Sequence, residues 1–521
     1  MDQISNSLKL SKNTLHSNKG MVTSQNKLAS HVGVDILNRG GNAVDAAIAT
    51  SFALGAAEPW MSGIGGGGYM MVLKKGEHNA QVIDFGMRSP ANLNLTDYPL
   101  TSEKGGDLFN WSRVKNDHNI KGAKAVAIPG CVAGMGLAHE CFGTLDWSSL
   151  IQPAISLAKK GLSVDWYCQL ILSGAAADLS ACQTMKDTFF DDSGFPKSSP
   201  WNVSTQNICH LEKLACSLES IAKNGSTEFY EGALAQSIVA DLNRLGGHHT
   251  LNDFKSYRAQ LKNATRFLYR GNHVYITPDM TAGPTLKRAF NLLERALQPG
   301  QSLNAKAYSA FDQVFRKSYQ ERLVEMGDIE SEGMPSCTTH FNVIDSEGTL
   351  VSVTQTLVSI FGSRIMLPTS GIIPNNGIMW FDPEPGKPNS LGPNKKCLSN
   401  MCPVLIARKD GTSFAIGASG GRKIMPAVAQ LSSFVMDYNM NAHQAMHAPR
   451  IDTSQPDKTY VDEALGKEIL AELEGVIDHS EAVKRSVYPY TFACPSIIES
   501  TRAGNFGITE ISSPWADCAT Q

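Results

Sequence analysis

The sequence predicts a layered protein of the α/β or α+β class. Three observations predict it. Helical blocks alternate with strand-like runs along the chain. Two runs of alternating polarity flank a turn just after Thr338. Glycine and proline punctuate residues 362–403, where turns replace periodic patterns. With 521 residues, 42% hydrophobic and 18% charged, the composition is that of a globular chain long enough to bury a large core.

Taken in order, residues 1–19 are polar and carry no apolar stretch of the kind a secretory signal needs. Leu28, Val32 and Ile36 follow helical spacing, and Gly40-Gly41 ends that helix. Asn42 is placed as the N-cap of a second helix over 43–57, so rich in alanine that it must be buried on most sides. Glu58-Pro59 closes it. The glycines 63–68 then precede a strand over 69–73. A dinucleotide loop runs strand, glycines, helix, and this order is reversed. These glycines are therefore expected to allow close backbone packing near a site. From about Trp147 to Ala296 the pattern reads mostly helical, with 150–160, 211–223 and 233–245 the clearest segments.

Composition also narrows function. A net charge of −3 gives no electrostatic case for nucleic acid or an anionic membrane as partner. No run of about 18 apolar residues predicts a membrane span. The eleven cysteines are irregularly spaced and include no CxxC pair. Neither a disulfide framework nor a zinc site is expected, and reduced cysteines suit a cytoplasmic protein. No metal and no cofactor are expected.

Residues 338–344 and 350–356 read as a hairpin around Asp345-Ser346-Glu347-Gly348, with Gly348 in the left-handed position of a three-residue loop. That register sets Thr338 opposite Thr356, His340 opposite Thr354 and Asn342 opposite Ser352. Phe341 then faces Val353, and Val343 faces Val351. One face is polar and the other apolar, and a slip of one residue would mix them. Read alone, the hairpin is better accounted for as a solvent-facing polar strand pair, rich in threonine because threonine suits strands.

The rest of the chain changes that balance. Leu28-Ala29-Ser30, Gly40 through Ala47, Glu58-Pro59 and Ser62 through Gly66 come first. Pro129-Gly130, Phe229 through Gly232 and Tyr269-Arg270-Gly271 follow. Thr338-Thr339-His340, Leu398-Ser399, Gly417 through Arg422 and Ala448-Pro449-Arg450 complete the series. In this order and at this spacing the chain resembles the γ-glutamyltranspeptidase family of N-terminal-nucleophile hydrolases.

The resemblance implies an α+β fold, a four-layer αββα sandwich. It implies a precursor that cuts itself between Cys337 and Thr338, giving segments 1–337 and 338–521 that stay intertwined, in a possible homodimer. Thr338 would be the nucleophile, Thr356 its support, and the Gly420 and Gly421 amides the oxyanion hole. Threonine activated by its own terminal amine is an established nucleophile. The partners would be a small-molecule amide and then water or an amine acceptor.

Recognition departs from the pattern. Asp84-Phe85 is followed by Gly86-Met87-Arg88, so the candidate carboxylate clamp, Arg88, lies two residues late. Ser399-Asn400 stands for a serine pair. Val358 and Trp380 occupy positions that would grip a substrate ammonium, where Trp380 has only its ring face to offer. An acylase whose substrate lacks the α-amine is the alternative reading. An uncut, inactive small-molecule-binding relative is a third. His340 is expected to be structural.

Overall fold

In the computed structural model, residues 9–104, 111–202, 206–300, 302–326, 336–455, 457–488 and 490–521 are described. Asn42 caps Ala43–Ala57 as expected: its side chain accepts from Val44 N and Asp45 N, and Asp45 returns a bond to the cap backbone. Every residue of that helix is buried. Thr144 also bonds Asp45, tying the helix start to the segment that follows the helix Cys131–Phe142.

The helix lies over the outer face of a sheet in the order Asp517–Thr520, Met21–Ser24, Ser336–Ile344, Leu350–Ser359, Gly67–Leu73, Gln81–Phe85, Gln260–Asn263. A second sheet runs Leu15–Ser17, Gly504–Thr509, Cys494–Thr501, Ser413–Ser419, Val404–Ala407, Asn272–Ile276, Thr265–Tyr269. Both are antiparallel throughout their paired strands. Helices Lys27–Asn38, Ala43–Ala57 and Cys131–Phe142 cover the first sheet. Gly283–Ala296, Ile424–Asp437 and Ala442–His447 cover the second. Apolar side chains fill both helix–sheet interfaces. A third apolar cluster, with Tyr69, Met71 and Val82 from one sheet and Tyr275, Leu405 and Ile498 from the other, lies between the sheets. The four layers are αββα.

Four expectations need correction. The middle segment is not uniformly helical, because residues 260–276 supply three strands, of which Gln260–Asn263 and Thr265–Tyr269 lie at sheet edges. The residues of the two edge strands are mostly exposed or half-buried, which weakens any apolar period. Leu28 is 55% exposed, so the buried stripe of the first helix runs through Ala29, Val32 and Ile36 instead. The polar face of the Thr338 hairpin does not meet solvent; the second sheet covers it, and Thr338, His340, Asn342, Ser352, Thr354 and Thr356 are all buried. From Thr339 onward the hairpin register and loop agree with the sequence: His340 pairs Thr354, Asn342 pairs Ser352, and Gly348 has φ +81°. The expected Thr338–Thr356 pairing is interrupted, because the ladder shifts by one residue between Cys337 and Thr339.

Candidate active site

The register is regular from Leu350 to Gln355 and then breaks, with Cys337 opposite Val358. One extra residue on the second strand makes a bulge at Thr338, the kind of irregularity that re-aims a side chain. The Thr338 hydroxyl donates to Thr356 Oγ1 at 3.3 Å, and Thr356 Oγ1 accepts Val358 N at 2.8 Å. Val358 has φ +85°, an unfavourable conformation for a β-branched residue. The bend is pinned from three sides. Leu357 N donates to Met61 O, Asn376 N to Leu357 O, and Ser359 N to Asn376 Oδ1.

The glycine run supports the same strand from the other side. A Cβ on Gly66 would come within 2.2 Å of Thr356 O, and one on Gly68 within 2.3 Å of Thr354 O. Asn375 fixes the run by donating to Gly65 O at 2.8 Å. The glycines thus permit the close backbone approach that the sequence order suggested.

From the second sheet, Ser413–Ser419 leads into Gly420 at φ +129° and Gly421 at φ +60°. The turn Gly421–Lys423 packs against the Thr338 strand and opens the helix Ile424–Asp437. Two sheet contacts set this level. A Cβ on Gly417 would overlap His340, 2.2 Å from Cε1, and the Gln25 amide donates to Ser419 Oγ. Gly420 and Gly421 therefore stand at the Thr338 end of the interface.

His340 is fully buried, and burial pushes its imidazole down to about 3. Its ring nitrogens bond Thr354 Oγ1 at 2.9 Å and Asn342 Oδ1 at 3.0 Å. A ring held neutral in this way is a structural element, not a base near neutral pH. Asn342 extends the network to Ser496 Oγ and Thr23 Oγ1 in neighbouring strands.

The recognition residues fare unevenly. Ser399 and Asn400 are buried; Ser399 N donates to Met280 O, and its hydroxyl accepts Met401 N. Trp380 is buried in the apolar cluster between the sheets, and its carbonyl accepts Asn389 Nδ2. Arg88 turns its guanidinium to Asn394 O at 2.9 Å and Asn394 Oδ1 at 3.2 Å, in a solvent-exposed setting. The Cys337 backbone is in the strand, while its side chain lies outside the described residues.

Sequence reasoning missed several charged and polar groups here. Glu58 is 2% exposed beside Thr339, and burial holds its carboxyl well above the ordinary range. Asp84, Lys396, Tyr69 and Arg322 form a buried group next to Ser399, drawn from segments far apart in sequence. No local pattern announces such a group.

Comparison with known proteins agrees with this architecture. The family model for gamma-glutamyltranspeptidase matches residues 29–338 and 333–490. The chain is 31% identical over 511 residues to the glutathione hydrolase proenzyme of Escherichia coli (strain K12), covering 88% of this chain and 85% of that protein. It is 31% identical over 472 residues to the acylase ACY 1 proenzyme of Pseudomonas sp. (strain V22), covering 84% and 82%. Among solved structures, the cephalosporin acylase from Bacillus halodurans shares the fold with a TM-score of 0.85 at 22% identity, over 100% of this chain and 99% of that one. The chain belongs to the gamma-glutamyltranspeptidase family.

Proposed function

We propose that this chain is a self-processing amide hydrolase that cleaves γ-glutamyl amides through an ester on Thr338. The cut falls between Cys337 and Thr338 and divides the chain into 1–337 and 338–521. It frees an α-amine of ordinary pKa, roughly 7.7–8.0, which takes a proton near neutrality without special tuning. Thr338 Oγ attacks the amide carbonyl as the α-amine takes its proton. The oxyanion is held by the Gly420 and Gly421 N–H groups, worth about 3 kcal/mol each in comparable sites. Collapse breaks the C–N bond, and the amine leaves with the proton. Water, or an amine acceptor, then attacks the ester and regenerates Thr338.

The observation that supports this most is the meeting of Thr338, Thr356 and the Gly420-Gly421 turn at one end of the buried sheet interface. A second reading, an acylase for glutaryl-type or other small acyl amides, has its own support. Val358 is fully buried and Trp380 is 3% exposed among apolar side chains, so neither offers a charge to a substrate ammonium.

A denaturing gel tests the enzyme reading: two fragments in the wild type and one intact chain in Thr338→Ala. A single wild-type band of full length rules it out. Rates on γ-glutamyl- and glutaryl-p-nitroanilide separate the two substrate classes, since the compounds differ only in the α-amine.

A further inference from the structure

Gly86 ends the strand that carries Asp84, and a Cβ there would sit 2.7 Å from the Tyr69 hydroxyl and 2.8 Å from Lys396 Cε. The space above Gly86 is thus taken by a lysine from another loop, three residues before Ser399. Lys396 is mostly buried, with 20% of its side chain exposed. Its ammonium pairs with Asp84 and stands 5.2 Å from the Tyr69 ring centroid. Lys262 Nζ shares Asp84 at 2.8 Å and also reaches Asp279 at 2.8 Å. Arg322, 4% exposed, donates to Ser399 O at 2.8 Å. Lys396 and Lys262 therefore face Asp84 and Asp279, while the Arg322 guanidinium is engaged by the backbone at Ser399.

The Tyr69 hydroxyl points to the missing partner. It is 1% exposed and has no hydrogen-bond acceptor among the described residues. Burial, reinforced by Asp84, raises its pKa well above the ordinary value, so it is an O–H donor. A buried donor without an acceptor is unfavourable until one arrives. With an ammonium beside it, the acceptor that fits is an anion.

Register gives the reach. Tyr69 pairs with Thr354, and Gly67 pairs with Thr356 across from Thr338. Two strand spacings and two residues along the strand put the Tyr69 and Thr338 Cα atoms about 12 Å apart. A short diacid chain esterified on Thr338 spans that interval together with the side chains at each end.

We propose that Lys396, with the Tyr69 hydroxyl, binds the carboxylate carried by the substrate's acyl chain and makes this site selective for monoamides of short dicarboxylic acids. Lys396 approaches from the loop before Ser399 and takes the place over Gly86 that Arg88 does not reach. This assignment rests on Thr338 as nucleophile.

The test compares glutaryl- with valeryl-p-nitroanilide, which match in chain length and differ in the carboxylate. A charge-assisted contact predicts a wild-type preference for the glutaryl compound of about 50-fold in kcat/KM, carried mainly by KM. Lys396→Met lowers that preference to below about fivefold, Tyr69→Phe lowers it by a smaller factor, and Lys396→Arg restores most of it. Arg88→Met retains it. A preference that survives Lys396→Met and vanishes in Arg88→Met overturns the proposal, as does a wild type without preference. Calorimetric titration with glutarate is independent of turnover. Binding to wild type and Lys396→Arg but not to Lys396→Met supports the site, and equal or absent binding in all three overturns it. If neither anilide is hydrolysed, the enzyme reading fails, and this titration still decides the carboxylate site.

Discussion

The hairpin Ser336–Ser359 has two faces on one backbone, and both are buried. Outward, Phe341, Val343, Val351 and Val353 pack under the alanine-rich helix at 0% exposure. Inward, His340, Asn342, Ser352, Thr354 and Thr356 are also at 0%, yet every one is polar. Burial alone does not distinguish the faces; bonding does. The outer face needs volume and shape, and a related side chain can replace each member at modest cost. The inner face needs particular donors and acceptors at particular places, because an unpaired polar atom is expensive there. The same two strands thus serve stability on one side and chemistry on the other.

Substitutions on each face can break that division. The largest effect is expected at its reacting end: Thr338→Ala lowers the rate of amide hydrolysis by about 10⁴-fold or more. Thr356→Val removes the hydroxyl that orients Thr338, and a loss of about 10²-fold in kcat is expected from stopped-time assays. Thr356→Val also removes the acceptor of the buried Val358 N and should cost about 1–3 kcal/mol of stability as well. On the outer face the balance reverses. Phe341→Ala should cost about 3–5 kcal/mol in urea unfolding of the Thr338→Ala chain, where covalent continuity keeps the measurement unimolecular. Asn342→Leu, an inner substitution away from Thr338, strands its Ser352 and Ser496 partners and should cost about 1–3 kcal/mol.

The effect that is smallest at neutral pH is the most diagnostic. His340 has a folded pKa of about 3, below the ordinary 6.5. Between those values the unfolded chain binds the proton and the folded chain does not, so stability falls as pH drops from about 6.5 towards 3, by at most about 1.4 kcal/mol per unit. His340→Gln should flatten that part of the stability–pH curve. An unchanged slope in the variant would mean that His340 is not held neutral by its surroundings.

Much of this hairpin was legible because its signals are local. Alternation set the faces and the register from Thr339 onward, and Gly348 set the loop. Asn42 was legible for the same reason, since a cap and its Asp45 partner lie within one turn. The edge strands Gln260–Asn263 and Thr265–Tyr269 were not, because most of their residues are exposed or half-buried and carry no apolar period. The burial of the polar face was hidden too. It depends on Ser413–Ser419 and Cys494–Thr501, strands from a distant part of the chain, lying across it. Lys396, Tyr69 and Asp84 meet only after three segments fold together, and nothing around Lys396 but its nearness to Ser399 hints at it. Thr338, Thr356 and the two glycines became a site through the ordered motifs rather than through any one of them.

The order of strands within each sheet has a consequence for the protein's lifetime. Met21–Ser24 lies between Asp517–Thr520 and Ser336–Ile344, and Gly67–Leu73 borders Leu350–Ser359. Val404–Ala407 likewise borders Asn272–Ile276 in the other sheet. A cut before Thr338 would turn each of these seams into a junction between separate molecules. An uncut chain finds such partners at a concentration fixed by its own tether. Two fragments, once parted, would have to find them by diffusion, with exposed strand edges open to wrong pairings meanwhile. The processed protein would then carry a history that its sequence alone cannot restore, persisting through slow unfolding rather than through reversible equilibrium.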